Sequence, residues 1–196
     1  MQEIVLASQS AVRLRLLAAA GLAVTADPSG IDENMIKARY HGEQTEACAL
    51  ALAAAKAAHV APRHPGALVI GADQILACKS VRFDKPRDGA EARQQLTSLR
   101  GREHALVTAT VVMHGHETRW QHIERSRLLM RRFSDAFLDD YLAAMGPAIC
   151  DTVGGYALEG TGVQLFERIE GDYFAILGLP LVPLLNFLRA EGAAAQ

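Results

Sequence analysis

The 196-residue chain is short of cysteine, of net charge and of long apolar runs. Its three cysteines, Cys48, Cys78 and Cys150, are far apart, odd in number and form no C-x-x-C pair. They read as reduced structural thiols of a cytosolic protein rather than a disulfide framework. A formal net charge of −2 provides no positive field to hold a polyanion, which argues against a nucleic-acid polymer as partner. No apolar run reaches membrane-spanning length. Arg13 and Arg15 followed by Leu16 to Ala26 imitate a signal peptide, but Met1-Gln2-Glu3 supplies no basic opening, so the expectation is a cytoplasmic protein away from the membrane. Gly154-Gly155-Tyr156-Ala157-Leu158-Glu159-Gly160 imitates the glycines of a P-loop without its lysine and hydroxyl. There is no G-x-S-x-G elbow and no H-E-x-x-H. P-loop, nucleophilic-serine and zinc-protease chemistries therefore lack support.

What is present is the composition of one ordinary globular domain, 50% hydrophobic and 21% charged, long enough for a sizeable core. Ile4 to Ala7 reads as a buried strand leading into a helix capped by Ser10 and stopped by Gly21. A second strand is expected over about Leu22 to Ala26, ending in the turn cluster Asp27-Pro28-Ser29-Gly30. Thr45 to Val60 is alanine-rich and helical, and Leu68-Val69-Ile70 forms another buried strand with Gly71-Ala72-Asp73-Gln74 at its exit. A small hairpin over 75–83, a helix from Asp88 to about Leu99, and two long strands turning at His114-Gly115 follow. A helix capped by Ser134, a strand near Val163–Ile169 and a last helix over roughly Leu181–Ala190 complete the chain. This mixed order, with one long hairpin, indicates an α/β or α+β sheet in a single domain over residues 1–196.

Four places carry candidate chemistry. Ser8-Gln9-Ser10-Ala11-Val12-Arg13 puts two hydroxyls and an arginine at the junction of a strand and a helix, where free N–H groups and the helix dipole favour a phosphate. Serine caps and first-turn arginines also occur in ordinary helix starts. Asp32-Glu33, in a loop just past Gly30, offers neighbouring oxygen ligands for Mg²⁺ or Mn²⁺, or simply two solvated charges. Lys56 is a lone cation in an apolar helix, able either to reach out to water or to point into a site. Asp73 is the sharpest feature, an acid at the end of a buried strand, where sheet proteins place ligands and where a desolvated carboxylate needs a partner. Lys85-Pro86 adds a further cation on a rigid turn.

Taken together, these pieces resemble the Maf family of nucleotide pyrophosphatases over nearly the whole chain. Leu6-Ala7-Ser8-Gln9-Ser10-x-x-Arg13-x-x-x-Leu17 is similar to the family's opening motif. Asp32-Glu33, Lys56, Gly71-Ala72-Asp73, Lys85-Pro86, Leu99-x-Gly101-x-x-His104, Gly155-Tyr156-x-x-Glu159-Gly160 and Ile169-Glu170-Gly171-Asp172-Tyr173 recur in the family's order, as does Gly178-Leu179-Pro180-Leu181. The resemblance implies an elongated mixed sheet with flanking helices and a cleft between two lobes, akin to inosine-triphosphate pyrophosphatases. It implies hydrolysis of a nucleoside triphosphate to the monophosphate and pyrophosphate, with Asp73 as general base or metal ligand and Glu33 helping to hold a divalent Mg²⁺ or Mn²⁺. Ser8, Ser10, Arg13, Lys56 and Lys85 would hold the phosphates, and Val12, Gln74 and Glu159 would set the base.

This chain departs from the family pattern in places. Ala11 replaces a proline, Val12 an arginine or tryptophan, and Asp84 a glycine. Gln74 and Glu159 match the branch that takes 7-methylguanosine triphosphate, while Val12 does not. The competing readings are a non-catalytic nucleotide-binding regulator linked to septum formation, and a phosphatase releasing Pi. A small-molecule nucleotide is the expected partner, and a homodimer is left open.

Overall fold

The computed structural model describes residues 2–41 and 44–195. The chain opens with β1 (Ile4–Leu6), α1 (Ala11–Ala19) and β2 (Val24–Ala26), then α2 (Glu33–Lys37) and α3 (Thr45–Val60). β3 (Leu68–Cys78) turns into β4 (Val81–Phe83), and α4 (Gly89–Leu99) leads to the long strands β5 (Glu103–His114) and β6 (Glu117–Met130). α5 (Asp135–Met145), β7 (Phe166–Glu170), α6 (Tyr173–Ile176) and α7 (Leu181–Ala190) complete it. The strands form a seven-stranded mixed sheet in the order β2-β1-β3-β5-β6-β7, with β4 on β3. β1 pairs in parallel with both β2 and β3, whereas β4 on β3 and β7 on β6 are antiparallel. Among the described residues no helix is long and apolar enough to cross a membrane.

The chain forms two compact units, Met1–Gln74 with Thr108–Glu124 and Asp172–Gln196, and Ile75–Val107 with Arg125–Gly171. In the first, Leu6, Leu68 and Ile70 from the parallel strands meet Leu16 and Leu17 of α1 and Leu184 and Leu188 of α7 in one buried cluster. Burial of each such leucine is worth about 1.5–3 kcal/mol, so the parallel strands are held by covering helices. In the second unit, Ala92, Leu96 and Leu99 of α4 and Leu138 and Tyr141 of α5 are buried. There His104 Nε2 lies 2.9 Å from the Tyr156 hydroxyl, and Phe166 meets the Tyr156 ring edge-on at 4.9 Å between centroids.

Local chemistry explains most boundaries. Ser10, Asp88 and Ser134 each cap a helix by accepting from the backbone N–H three residues on, as expected of short oxygen side chains. Gly21 (φ 79°) follows the end of α1 in the left-handed region that glycine favours. Four expectations are corrected. β3 does not stop at Ile70 but runs eleven residues through Asp73. Asp32 and Glu33 are not in a loop: Asp32 caps α2, and Glu33 is its first residue. β2 begins at Val24, and β7 at Phe166 because residues 161–165 form a 3-10 turn.

Candidate active site

Asp73 owes its position to a glycine. β1 accompanies β3 only as far as the pair Leu6–Ile70, with one further bond from Ala7 N to the Ile70 carbonyl at 2.8 Å. Beyond that point β3 loses this neighbour. Gly71 and Asp73 point to the same face of the strand, and that face meets α3. A Cβ at Gly71 would overlap the Ala53 carbonyl oxygen and lie 2.7 Å from the Ala57 amide nitrogen. The small residues of α3 and Gly71 thus bring helix and strand backbones together. Lys56, which falls between Ala53 and Ala57 in the helix, meets Asp73 as a result.

Lys56 does not reach out to water. It is 9% exposed and Asp73 6%, and Lys56 Nζ lies 2.6 Å from Asp73 Oδ1. The same Nζ is 2.8 Å from Glu33 Oε1, while Lys37 Nζ is 3.4 Å from Glu33 Oε2. Burial pushes the Asp73 carboxyl above the ordinary carboxylate range, and attraction from Lys56 and Arg13 offsets this only in part. Burial opposes ionisation of Glu33 too, but Lys56 and Lys37 hold its carboxyl below the ordinary range. Two adjacent carboxylates therefore differ in basicity, as acid–base chemistry requires. Asp73 Oδ1 takes the Lys56 ammonium, and the Asp73 side chain as a whole keeps only a small exposed area. Asp73 and Glu33 are also the oxygen donors that could hold a hard cation. Among the described residues no cluster of three or more His, Cys, Asp or Glu could do so alone.

The loop between β1 and α1 is tied to the same strand. Ser8 Oγ accepts from Ser10 N at 3.1 Å and from Arg13 Nη1 at 3.3 Å, and Ser10 Oγ accepts from Arg13 N at 3.3 Å. Arg13 Nη1 also donates to the Ala72 carbonyl at 3.0 Å and Nε to the Gly178 carbonyl at 2.7 Å. Burial lowers the affinity of this guanidinium for its proton, and the charges of Asp73 and Glu33 draw it back up. Arg13 is thus a structural cross-link between the loop, β3 and the turn after α6 as well as a cation beside the carboxylates. Val12 packs half-buried against the core cluster.

Gln74 follows Asp73 and so points to the opposite face of β3. Its Nε2 donates to Thr108 Oγ1 (2.9 Å) and lies 2.9 and 3.0 Å from the carbonyls of Ala175 and Ile176. Thr108 gives its own hydroxyl proton to Ala175 O at 2.8 Å. Carbonyls only accept, so the orientation of the Gln74 amide is fixed, with Nε2 toward Ala175 and Ile176. Lys85 and Glu159 belong to the second unit, Lys85 exposed between β4 and α4 and Glu159 exposed in the turn after Leu158.

Three contributors escape sequence reasoning. The Gly178 carbonyl that anchors Arg13 carries no side-chain signal, and Thr108 looks like any strand threonine. Lys37 was detectable, since Glu33 and Lys37 stand four apart in the favoured order for a helix.

The family model described as Maf-like protein matches residues 3–191. A nucleoside triphosphate pyrophosphatase of Granulibacter bethesdensis is 47% identical over 97% of this chain and 98% of its own length. A 7-methyl-GTP pyrophosphatase of Rhizobium meliloti is 46% identical over 97% of this chain and 96% of its own. Among solved structures, a HAM1 protein from Coxiella burnetii is similar with a TM-score of 0.46 at 19% identity, covering 68% of this chain and 75% of that one.

Proposed function

The chain belongs to the Maf-like protein family, and from that premise we propose that it hydrolyses nucleoside triphosphates between the α and β phosphates, giving a monophosphate and pyrophosphate. The observation that carries this reading is the buried Asp73 carboxylate, paired through Oδ1 with the Lys56 ammonium that also reaches Glu33. Asp73 Oδ2 takes the proton of the attacking water, for which its upward-shifted basicity suits it. Ser8, Ser10, Arg13 and Lys56 neutralise and orient the phosphates, because phosphoryl chemistry is mostly positioning and charge compensation. The support for Lys85 in the same role is the family motif and its exposed ammonium.

The donor set suits a divalent cation. An ammonium already stands between the oxygens of Glu33 and Asp73, so the pair accommodates positive charge. Two carboxylates leave room for the waters and phosphate oxygens with which Mg²⁺ completes its shell. Glu33 and Asp73 would hold Mg²⁺ or Mn²⁺, which when bound neutralises phosphate charge and polarises the phosphoryl group.

We further propose guanine-type bases as the preferred substrates, with Val12, Gln74 and Glu159 as the residues that set the choice. Glu159 can only accept when ionised, and the oxygen of the Gln74 amide, whose nitrogen faces backbone carbonyls, is also an acceptor. The guanine edge offers two N–H donors, whereas uracil and thymine offer one between carbonyls. Val12 supplies no ring for stacking, a contact worth about 1–3 kcal/mol per base, so selectivity for a methylated guanine should be slight.

Product analysis tests the reaction. The protein with Mg²⁺ and a panel of triphosphates should release pyrophosphate. Release of Pi alone, or no turnover of any member of the panel, would overturn it.

A further inference from the structure

Lys56 occupies the place between Glu33 and Asp73 that a bridging cation would take. Its Nζ is within 2.8 Å of one carboxylate and 2.6 Å of the other. It reaches them from the buried face of α3, among Leu52, Ala53, Ala57 and Val60. Lys37 reaches the second Glu33 oxygen at 3.4 Å, and Arg13 is fastened to the carbonyl of Ala72, next to Asp73 in the chain. Two negative groups therefore face three positive ones before any ligand arrives. A free divalent ion finds no uncompensated charge here, and it would have to sit against an ammonium on the same oxygens. A triphosphate changes that balance, because it brings several negative charges and its own competing acceptors for the ammonium.

We propose that Lys56 is the resident counter-cation of the Glu33–Asp73 pair, and that a divalent metal enters only together with the nucleotide, whose phosphates draw the ammonium away from the carboxylates. The proposal rests on the metal-dependent reading above and adds an order of binding to it. It also gives Lys56 two successive partners, carboxylates in the empty enzyme and phosphate oxygens in the complex. Mg²⁺ usually binds through one or two carboxylates plus substrate phosphates, in keeping with such an entry.

The test is Mn²⁺ binding to the full chain in the absence of nucleotide, followed by the loss of the free-ion electron paramagnetic resonance signal. Wild-type protein at micromolar concentrations should leave the signal undiminished. Lys56→Gln should bind Mn²⁺ at least tenfold more tightly than wild type, and adding Glu33→Gln to it should abolish that gain. Stoichiometric Mn²⁺ binding by nucleotide-free wild type would overturn the proposal, and so would a folded Lys56→Gln that binds no better. A melting curve reports whether Lys56→Gln folds; if it does not, the wild-type titration alone decides. Pyrophosphate release by the wild-type preparation separates the two readings. Protein that releases pyrophosphate yet binds Mn²⁺ tightly without nucleotide breaks this inference alone, whereas absence of pyrophosphate breaks the proposed reaction.

Discussion

Gly71→Ala probes the link between packing and chemistry, because it adds one methyl group at a distance from any reacting atom. The new Cβ would overlap the Ala53 carbonyl and stand 2.7 Å from the Ala57 amide nitrogen, both of them α3 backbone. No side-chain rotation relieves such a clash. Restoring an ordinary contact near 3.5 Å to the amide nitrogen requires at least roughly 0.8 Å of movement between helix and strand, and the overlap with the Ala53 carbonyl requires more. Lys56 lies between those two residues, so the same movement would stretch its 2.6 Å bond to Asp73 toward roughly 3.4 Å, past the usual range. Overpacking of this kind costs about 1–3 kcal/mol, and in a chain of this size each kcal/mol lowers Tm by roughly 2–4 °C. Displacement of the base and its partner should lower kcat/KM by roughly 10- to 100-fold, the scale on which ångström misplacements act. Thermal melting and pyrophosphate release measure the two effects. A Gly71→Ala protein with wild-type Tm and wild-type kcat/KM would refute the claim that this glycine sets the approach of α3.

Asp73→Asn keeps the shape of the side chain and removes its charge, so turnover should fall by at least roughly 10² while the protein stays folded; near wild-type kcat would remove Asp73 from its assigned role. Activity should disappear in EDTA and return with Mg²⁺ or Mn²⁺, and full activity after exhaustive chelation would leave Glu33 without its proposed job. Glu159→Gln should narrow the kcat/KM gap between GTP and UTP, because an amide both donates and accepts; an unchanged ratio refutes the assignment. Burial pushes His104 down to about 4 in the fold, so between its ordinary value near 6.5 and 4 the unfolded chain binds the additional proton. Stability should therefore fall as pH falls through that window, with His104 contributing up to about 1.4 kcal/mol per pH unit. Denaturant melts of wild type against His104→Phe isolate this slope, and equal slopes would show that His104 is not the group titrating.

The long periodic elements were legible in sequence. Thr45–Val60 and Leu181–Ala190 were bounded correctly, because glycine, proline and an apolar stripe mark helices of that length. Gly71 reads as the exit of a strand and as a place for close backbone approach; the approach, by α3, is there, but β3 continues through Asp73. Glu33 was read as a loop residue because a five-residue helix is too short to show periodicity. Both fates of Lys56 remained open, since an apolar helix does not say which of its neighbours carries a charge, and only the packing of α3 on β3 decides it. The sequence singles out Ser8, Ser10 and Arg13, but the partners of the Arg13 guanidinium at Ala72 and Gly178 are backbone carbonyls and leave no trace in residue identity.

The bond from Arg13 to the Gly178 carbonyl joins residues 165 apart, and the cluster that buries β1 and α1 draws Leu181, Leu184 and Leu188 from the last helix. The first unit is made of three stretches separated along the chain, the last of them beginning at Asp172. During synthesis, its opening strand and helix therefore emerge long before the residues that cover them, with their apolar faces unpaired. Contacts this distant in sequence close slowly, because the loop entropy is lost before the contact forms. A chain cut after residue 170 would carry the residues of β1, β3 and Asp73 without the anchor for Arg13 and without α7. The segment from Gly178 to Leu188 thus decides whether β1 and α1 find their cover.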